Sequence, residues 1–131
     1  MSDDMIELVK RSYRAFAAGD RAAMEALLAP DFHFTSPYDN RIDRATYWQR
    51  CWPGSGQGGA FEFIHLARAG ELVFVTYEMR AIDGHGGRNT EIATVRDGQI
   101  VAFEVYFGWN VPHDAPEGGW IELHDDEEPG E

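Results

Sequence analysis

Apolar residues recur at three- and four-residue spacing over the first part of the chain, which predicts two successive helices. In the first helix this spacing is carried by Met5, Val9, Tyr13 and Phe16. Ser2 or Asp3 can cap its start, and Gly19 ends it. Asp20 caps a second helix, which Pro30 closes. The chain therefore begins with a helical corner.

Side chains of alternating polarity follow over residues 32–36 and predict a short strand. Its inward face carries Phe32, Phe34 and Ser36. A third helix begins at Asp43 as N-cap and ends at Trp52, because the glycines and proline of the following PGSGQGG stretch cannot continue it. Helix, helix, strand and helix thus precede the main sheet.

The rest of the pattern predicts an antiparallel meander of four strands, at residues 60–69, 71–82, 87–96 and 99–108. A two-residue turn at Asp97-Gly98 sets Arg96 opposite Gln99, and a loop over 83–86 sets Ile82 opposite Gly87. In this register the inward face is almost wholly apolar and consists of Val73, Val75, Tyr77, Met79, Thr90, Ile92, Thr94, Val101, Phe103, Val105 and Phe107. The outward face then carries Glu78, Glu91 and Glu104 in one row, beside Arg80, Asn89 and Tyr106.

Length and charge divide the chain into a body and a tail. The 131 residues suit one domain, which we place at 1–113. The net charge of −12 is concentrated in residues 114–131, which hold eight acidic residues and no lysine or arginine. This acidic segment is predicted to be largely disordered, with its WIEL stretch as a docking clip.

The same composition excludes several classes of protein. A mildly acidic body without clustered basic residues argues against nucleic-acid binding. The start of the chain has acids where a secretory signal has basic residues, and no apolar run is long enough for a membrane span, so we expect a cytoplasmic protein with no membrane partner. The single cysteine, Cys51, is predicted to be buried filler. The five histidines lack metal-ligand spacing, so no metal and no cofactor is expected.

The order of elements resembles the NTF2-like superfamily, in particular its SnoaL-like and ketosteroid-isomerase-like members. The resemblance covers residues 4 to about 110 and is carried by FAAGD at the helical corner, PDFHFTSP on the first strand and VRDGQIVAFEVYFG on the last hairpin. It implies an α+β cone, in which three N-terminal helices pack on a curved, mainly antiparallel sheet and enclose an apolar pocket. Many relatives are homodimers.

The resemblance also shows where catalytic groups are expected. Isomerases of this family carry a general-base aspartate just before the proline that ends the first strand, where this chain has Ser36. Their oxyanion hole pairs a tyrosine on the first helix with a protonated acid on the penultimate strand. Tyr13 or Ser12 falls at the tyrosine's place, and Ile92 at the acid's place. A standard ketosteroid isomerase is therefore not expected, because a serine hydroxyl is no base at neutral pH.

Other polar residues are expected at the mouth of the cone. They are Ser36, Tyr38, Asp39, Arg41, Asp43, Trp109, Asn110 and His113. From this set and the first helix we take His113, Asp39 and Tyr13 as the candidate catalytic residues, since histidine is a side chain that commonly transfers protons in enzymes. Ordinary turn and cap chemistry is the alternative for Asp39 and its neighbours.

A ligand pocket is predicted between the helices and the inner sheet face. Its expected lining is Tyr13, Phe16, Phe34, Ser36, Trp48, Trp52, Tyr77, Met79, Thr90, Ile92, Phe103, Val105, Phe107 and Trp109. Such a wall suits a small apolar ligand that a few hydroxyl groups orient. The alternative is that these large side chains fill the cone completely.

The outward sheet face is predicted to serve assembly. Its candidate residues are Glu78, Arg80, Glu91, Glu104 and Tyr106, flanked by Leu72, Phe74, Ile82, Val95 and Ile100. A homodimer through this face would cover the apolar residues. An alternative register by one residue would turn Glu91 into the pocket. Arrangements like that of limonene epoxide hydrolase would need Glu78, Arg80 and Glu91 on one inward face.

Three classes of function are open from the sequence. The first is a small SnoaL-like enzyme, an isomerase, cyclase or hydrolase that acts on an apolar compound. The second is a non-catalytic carrier that uses the same pocket, and the third is a dimeric scaffold subunit. No feature of the sequence identifies the substrate.

Overall fold

A computed structural model describes residues 3–56 and 60–122. The helices are α1 (Asp4–Ala18), α2 (Arg21–Leu27) and α3 (Arg44–Arg50), with a single 3-10 turn at Trp52–Gly54. The strands are β1 (Leu28–Ser36), β2 (Asp39–Asp43), β3 (Ala60–Ala69), β4 (Leu72–Arg80), β5 (Gly86–Arg96) and β6 (Gln99–Val111). Three helices packed on one mainly antiparallel sheet confirm the predicted α+β fold.

The helix ends follow the capping residues of the sequence. The Asp3 carboxylate accepts from the backbone N–H groups of Met5 and Ile6, and Gly19 ends α1 in the left-handed region. Asp20 and Asp43 cap α2 and α3 in the same way. The alternative cap, Ser2, lies outside the described residues.

The six strands form one sheet in the order β2-β1-β6-β5-β4-β3. All neighbours are antiparallel except β1 and β6, which run parallel. The first part of the sheet differs from the prediction in two ways. Pro30 lies inside β1 rather than only closing α2, and residues 39–43, predicted as part of the polar mouth, form β2 as the antiparallel partner of β1.

The register of the β4–β5 hairpin was predicted wrongly. The connection between the strands is 81–85 rather than 83–86, so Arg80 pairs with Gly86 and Val75 with Glu91. The odd-numbered residues of β4 point inward, and this pairing makes the odd-numbered residues of β5 point inward with them. Thr90, Ile92 and Thr94 therefore lie on the outer face of the sheet, and Glu91, Ala93 and Val95 are buried.

The β5–β6 hairpin begins as predicted, with Arg96 opposite Gln99. Irregularities then shift the pairing, since Thr94 pairs with Ala102 rather than Val101, and Asn89 with Phe107. Ile100 lies before this shift and pairs with Val95 as predicted, and it is buried because Val95 points inward. The outer face thus loses Val95 and Ile100 from its predicted apolar set.

The core lies under the sheet, toward the end of the molecule that holds the two hairpin turns at 70–71 and 97–98. Its most deeply buried large side chains are Val9, Met24, Leu28, Phe32, Val73, Val75 and Ile100. Helix α1 contacts β3 and β4, while α3 contacts β1 and β2. This leaves the other end of the inner face for the cavity described below.

Residues 112–122 follow β6 without a helix or strand. Trp120 and Ile121 of the WIEL stretch are exposed. Most of the predicted disordered tail, residues 123–131, lies outside the described residues. Within 3–56 and 60–122 no helix is long and apolar enough to cross a membrane.

Candidate functional site

A cavity of about 280 Å³ opens between α1, α3 and the inner face of the sheet. Its walls are mainly apolar. They are formed by Ser12, Tyr13, Phe16, Met24, Phe34, Ser36, Tyr38, Asp39, Tyr47, Cys51, Phe61, Tyr77, Met79, Asn89, Glu91, Phe103, Val105 and Phe107. Only two of these side chains, Asp39 and Glu91, are carboxylic acids.

Glu91 is buried in the cavity wall, on the central part of β5. The Tyr77 hydroxyl donates a hydrogen bond of 2.6 Å to its Oε2 atom. Burial disfavours the charged carboxylate and raises the pKa of Glu91, while the nearby hydroxyls of Tyr77 and Tyr13 partly oppose that rise. The site therefore favours a neutral carboxylic acid, which can donate a proton into the cavity.

Tyr13 approaches the same carboxyl from α1. Its ring lies among four aromatic neighbours, with centroid distances of 5.2 Å to Tyr77 and 5.5 Å to Phe61. Burial, with the charge of Glu91 as a second cause, raises the pKa of Tyr13, so its hydroxyl stays protonated. Among the described residues this hydroxyl has no hydrogen-bond partner of good geometry. A buried donor without a partner points to a ligand acceptor in the cavity.

Ser12 was the alternative to Tyr13 for this place on the first helix. Its side chain is buried and lines the cavity. However, its Oγ donates to the carbonyl oxygen of Val9 at 2.6 Å, so its hydrogen is already used within the helix. Tyr13 is the residue whose hydrogen is available.

Asp39 forms the second acidic group, at the start of β2. The Ser36 hydroxyl donates to its Oδ2 at 2.8 Å, and Arg50 Nε donates to its Oδ1 at 2.7 Å. The hydrogen bond from Ser36, together with that from Arg50 and its charge, lowers the pKa of Asp39. Ser36 thus does not replace the family's base itself but holds an ionised carboxylate three residues along the chain.

The mouth of the cavity is apolar and exposed. Tyr38, at the β1–β2 turn, contacts Phe107 of β6 with a ring-centroid distance of 5.5 Å. Both rings are largely exposed, and so is Met79 on the neighbouring side. An apolar ligand could enter here without crossing a charged rim.

Cys51 also lines the cavity, on the side of α3. Burial raises the pKa of its thiol to about 11, with the charge of Asp39 as a further cause. At neutral pH the thiol is therefore protonated and weakly nucleophilic. Its side chain is half-buried in the cavity wall rather than fully buried as predicted.

Several residues predicted for the pocket lie elsewhere. Thr90 and Ile92 are on the outer face, for the register reason given above, and the Thr90 hydroxyl bonds to that of Thr76 at 2.8 Å. Trp48 packs against the guanidinium of Arg21 at 4.4 Å. Trp52 is separated from the cavity by Phe16, against which its ring packs. The remaining nine predicted lining residues, excluding Trp109, do border the cavity.

His113 and Trp109 lie outside the cavity wall. His113 is exposed beyond β6, and its Nδ1 accepts a hydrogen bond from the backbone of Ala115. Trp109 is exposed and contacts the Arg88 guanidinium at 5.4 Å. Of the three candidate catalytic residues, the structure thus brings Tyr13 and Asp39 to one cavity and leaves His113 outside it.

The outer face carries its own charge network. Glu78 accepts from Arg88 at 2.6 Å and from Arg80 at 3.1 Å, and Tyr106 donates to Glu104 at 3.0 Å. Glu91 does not belong to this row. Because Glu78 and Arg80 do not face the cavity, the arrangement proposed for an epoxide-hydrolase-like site, with both on the same face as Glu91, is not assembled.

Sequence patterning did not predict Met24, Tyr47, Cys51, Phe61 and Asn89 as cavity residues, and it placed Glu91 there only in the alternative register. The strongest available signal was the alternation of Glu91 with Ala93 and Val95, which marks a possible inward face of β5. No group of three or more potential metal ligands occurs among residues 3–56 and 60–122.

Solved structures with this architecture share the NTF2-like fold. An NTF2-like protein of unknown function from Burkholderia xenovorans aligns with a TM-score of 0.67 and 22% identity, over 92% of this chain and 95% of that one. An LEH-like epoxide hydrolase from M. tuberculosis aligns with a TM-score of 0.67 and 21% identity, over 80% and 83% of the two chains. A putative polyketide cyclase from Sinorhizobium meliloti aligns with a TM-score of 0.63 and 19% identity, over 79% and 99%.

The family follows from the sequence itself. The profile described as "SnoaL-like domain" matches residues 9–103, which include β1, Tyr13, Asp39 and Glu91. The chain therefore belongs to the SnoaL-like domain family. No curated protein matches it.

Proposed function

We propose that this protein is an acid–base enzyme of the isomerase or cyclase type, which moves a proton next to the carbonyl group of a small apolar compound. The observation that carries the proposal is the placement of two carboxyl groups with opposite pKa shifts in one apolar cavity. Such a pair supplies a base and an acid at the same pH.

Asp39 is the proposed general base. Its carboxylate is ionised, held by Ser36 and Arg50, and lines the cavity. It would take a proton from the carbon beside the carbonyl group. The electron pair left on that carbon then moves toward the carbonyl oxygen, which becomes the oxyanion of an enolate.

Glu91 and Tyr13 are the proposed donors to that oxyanion. The neutral Glu91 carboxyl and the unpartnered Tyr13 hydroxyl both lie in the apolar wall, where hydrogen bonds to a developing charge are strong. Return of the proton from Asp39 to another carbon completes an isomerisation. In a cyclisation the enolate carbon attacks a second carbonyl of the same substrate, and the resulting alkoxide takes the proton from Asp39 to give a hydroxyl group. In this arrangement Glu91 takes the place expected for an acid at Ile92, one residue away.

The substrate proposed is small, neutral and apolar. The lining is mainly aromatic, and the mouth is formed by Tyr38, Met79 and Phe107 rather than by charged residues. Apolar walls with a few polar groups are typical of sites for such ligands. The polyketide cyclase among the structural neighbours is compatible with this chemistry, although its low identity supports the fold alone.

Deuterium exchange tests the proposal without knowledge of the natural substrate. The protein is incubated in D₂O with 2-tetralone or 2-cyclohexenone, and uptake of deuterium beside the carbonyl group is followed by NMR. We expect exchange faster than in buffer for at least one ketone. Asp39→Asn should reduce the enzymatic rate by about 10²- to 10⁴-fold, and Glu91→Gln by about 10²- to 10³-fold.

Glu104→Gln is the matched control, because Glu104 is exposed on the outer face, where it accepts a hydrogen bond from Tyr106, and does not line the cavity. Its exchange rate should equal that of the wild type. Exchange no faster than buffer with either ketone, or an unchanged rate in Asp39→Asn, would contradict the proposal.

A carrier is the second candidate function, supported by the aromatic lining of the same cavity. It predicts saturable binding of a fluorescent probe such as 2-naphthol without any exchange of the ketones. Val105→Phe should weaken that binding by filling the cavity.

A further inference from the structure

A chain of three hydrogen bonds leads from the backbone of β6 to Glu91. The N–H of Gly108 donates to Asn89 Oδ1 at 3.2 Å. Asn89 Nδ2 donates to the Tyr77 hydroxyl oxygen at 3.4 Å, and the Tyr77 hydroxyl donates to Glu91 Oε2 at 2.6 Å. The chain crosses β6, β5 and β4 and returns to β5.

The first member of this chain fixes the direction of the first two bonds, and the third follows because Glu91 is the remaining partner of the Tyr77 hydroxyl. A backbone N–H can only donate, so the atom of Asn89 that faces Gly108 is the amide oxygen. The amide nitrogen of Asn89 then faces Tyr77, and it too can only donate. Tyr77 therefore accepts from Asn89, and its single hydrogen is left for Glu91.

We propose that Asn89 is a positioning residue, which acts through Tyr77 to keep Oε2 of Glu91 an acceptor and so places the acidic proton of Glu91 on Oε1, free for a ligand. A neutral carboxyl group has one proton to donate, and its carbonyl oxygen is the better acceptor, so the short hydrogen bond from Tyr77 to Oε2 favours the proton on Oε1. Without Asn89 the Tyr77 hydroxyl can rotate, and either oxygen of Glu91 can hold the proton.

The backbone geometry supports this assignment. Gly108 is the residue skipped in the pairing of β5 with β6, since Arg88 pairs with Trp109 and Asn89 with Phe107. A Cβ atom at Gly108 would collide with the carbonyl oxygen of Arg88. The absence of a side chain thus allows the close approach that directs the Gly108 N–H at Asn89.

The other groups around Glu91 do not determine which of its two oxygens carries the proton. The titratable groups that act on it across the cavity are Tyr13 from α1, Tyr47 from α3, Cys51 and Tyr77. All four are protonated at neutral pH, because burial raises the pKa of each. Of these, Tyr77 is the one hydrogen-bonded to Glu91 by geometry.

This inference deepens the proposed function and rests on Glu91 as its proton donor, but the carboxyl can be tested without turnover. The pKa of Glu91 is measured by carbon-13 NMR of glutamate-labelled protein over a pH titration, with the signal assigned by its loss in Glu91→Gln. Donation from Asn89 polarises the Tyr77 hydroxyl, which then stabilises the Glu91 carboxylate more strongly. Asn89→Ala should therefore raise the pKa of Glu91, by about 0.3 to 1 unit.

A double-mutant cycle separates this effect from general loosening of the site. Tyr77→Phe should raise the pKa of Glu91 by itself, and adding Asn89→Ala to it should cause no further change, because the link is already broken. Thr90→Ala is the control on the same strand, since Thr90 faces the opposite side of the sheet, and it should leave the titration unchanged. Asn89→Ser gives the same comparison should Asn89→Ala fold poorly.

An unshifted titration in Asn89→Ala, or an equal shift with and without the Tyr77 hydroxyl, would overturn the positioning role. Either result leaves the exchange test unaffected. Conversely, if the double-mutant cycle gives the expected pKa shifts but the protein exchanges no ketone, the positioning role is retained and the proposed reaction is rejected.

Discussion

The placement of Glu91 depends on one residue of register and decides the chemistry of the whole cavity. The stretch TEIATV on β5 contains two alternating sets, and each mixes apolar with polar side chains. Thr90, Ile92 and Thr94 form a set that suits a core nearly as well as the one containing Glu91. The pattern therefore favoured an inward Ile92 over an inward Glu91, because burial of a carboxyl group without hydrogen-bond partners costs free energy. The partners, Tyr13 and Tyr77, come from elements distant in sequence.

The pH dependence of stability should reveal the burial of Glu91. Its pKa is raised in the folded protein, so its contribution to stability is complete below the unfolded pKa and is lost as the pH rises through the folded value. Each unit of that rise corresponds to about 1.4 kcal/mol. Glu91→Gln removes this loss. As the pH rises from about 4.5 to 8, the free energy of unfolding of Glu91→Gln should therefore increase relative to that of the wild type. Urea denaturation at each pH measures this difference.

The same comparison for Glu104→Gln should show no such trend, because that carboxyl is exposed. A difference between Glu91→Gln and wild type that stays constant with pH would contradict the raised pKa of Glu91.

At the scale of elements, capping residues and turn chemistry made the helices and the last hairpin turn predictable. Asp3, Asp20 and Asp43 cap the helices as expected, and the turn at Asp97-Gly98 has the predicted pairing. The errors came from the β4–β5 loop, which has an odd number of residues (81–85) where an even number was predicted, and from the irregular pairing of β6 with β5. The loop inverts the faces of β5, whereas the irregular pairing returns Phe103, Val105 and Phe107 of β6 to the inner face where they were predicted. Neither feature is specified by a local residue pattern, and the several glycines in GHGG allow more than one loop length.

The irregular pairing at Gly108 should be sensitive to substitution. Gly108→Ala places a Cβ atom against the Arg88 carbonyl oxygen, so the strands must separate, and we expect a loss of about 2 kcal/mol or more in the free energy of unfolding. Gly87→Ala is the matched control in the same pair of strands. Its Cβ atom would meet only ordinary contact with the Trp109 carbonyl, so its stability should stay within about 0.5 kcal/mol of the wild type.

Thermal and urea unfolding of both variants measure the difference. Equal stabilities for Gly108→Ala and Gly87→Ala would show that the close approach at Gly108 is not required.

For the whole molecule, the corrected register changes the surface available for assembly. The outer face keeps Leu72 and Phe74 and gains Ile92, which pairs directly with Phe74. Ile82, expected on this face, lies exposed in the loop 81–85. The ion pairs of Glu78 with Arg80 and Arg88 border the apolar residues. The face thus has an apolar centre and a charged edge, as many subunit interfaces do.

A homodimer through this face remains our prediction for the intact protein. Ile92→Glu should weaken it at least tenfold, because it places a charge at the centre of the contact. Ile82→Glu adds the same charge outside the face and should leave association unchanged. Sedimentation velocity at micromolar concentration distinguishes the variants, and a monomeric wild type would refute the prediction.

The parallel pairing of β1 with β6 has a consequence for the way the chain folds. In the sheet order β6 lies between β1 and β5, although it is the strand synthesised last among those described. During translation β1 and β2 therefore emerge as one hairpin and β3, β4 and β5 as a separate meander, each with an open edge. Contacts so distant in sequence form slowly, and nascent edges of this kind are exposed to aggregation. Helix α1 also contacts β3 and β4, but within the sheet only β6 joins the two parts. Asp39 and Glu91 therefore come to line one closed cavity only when β6 has paired with both β1 and β5.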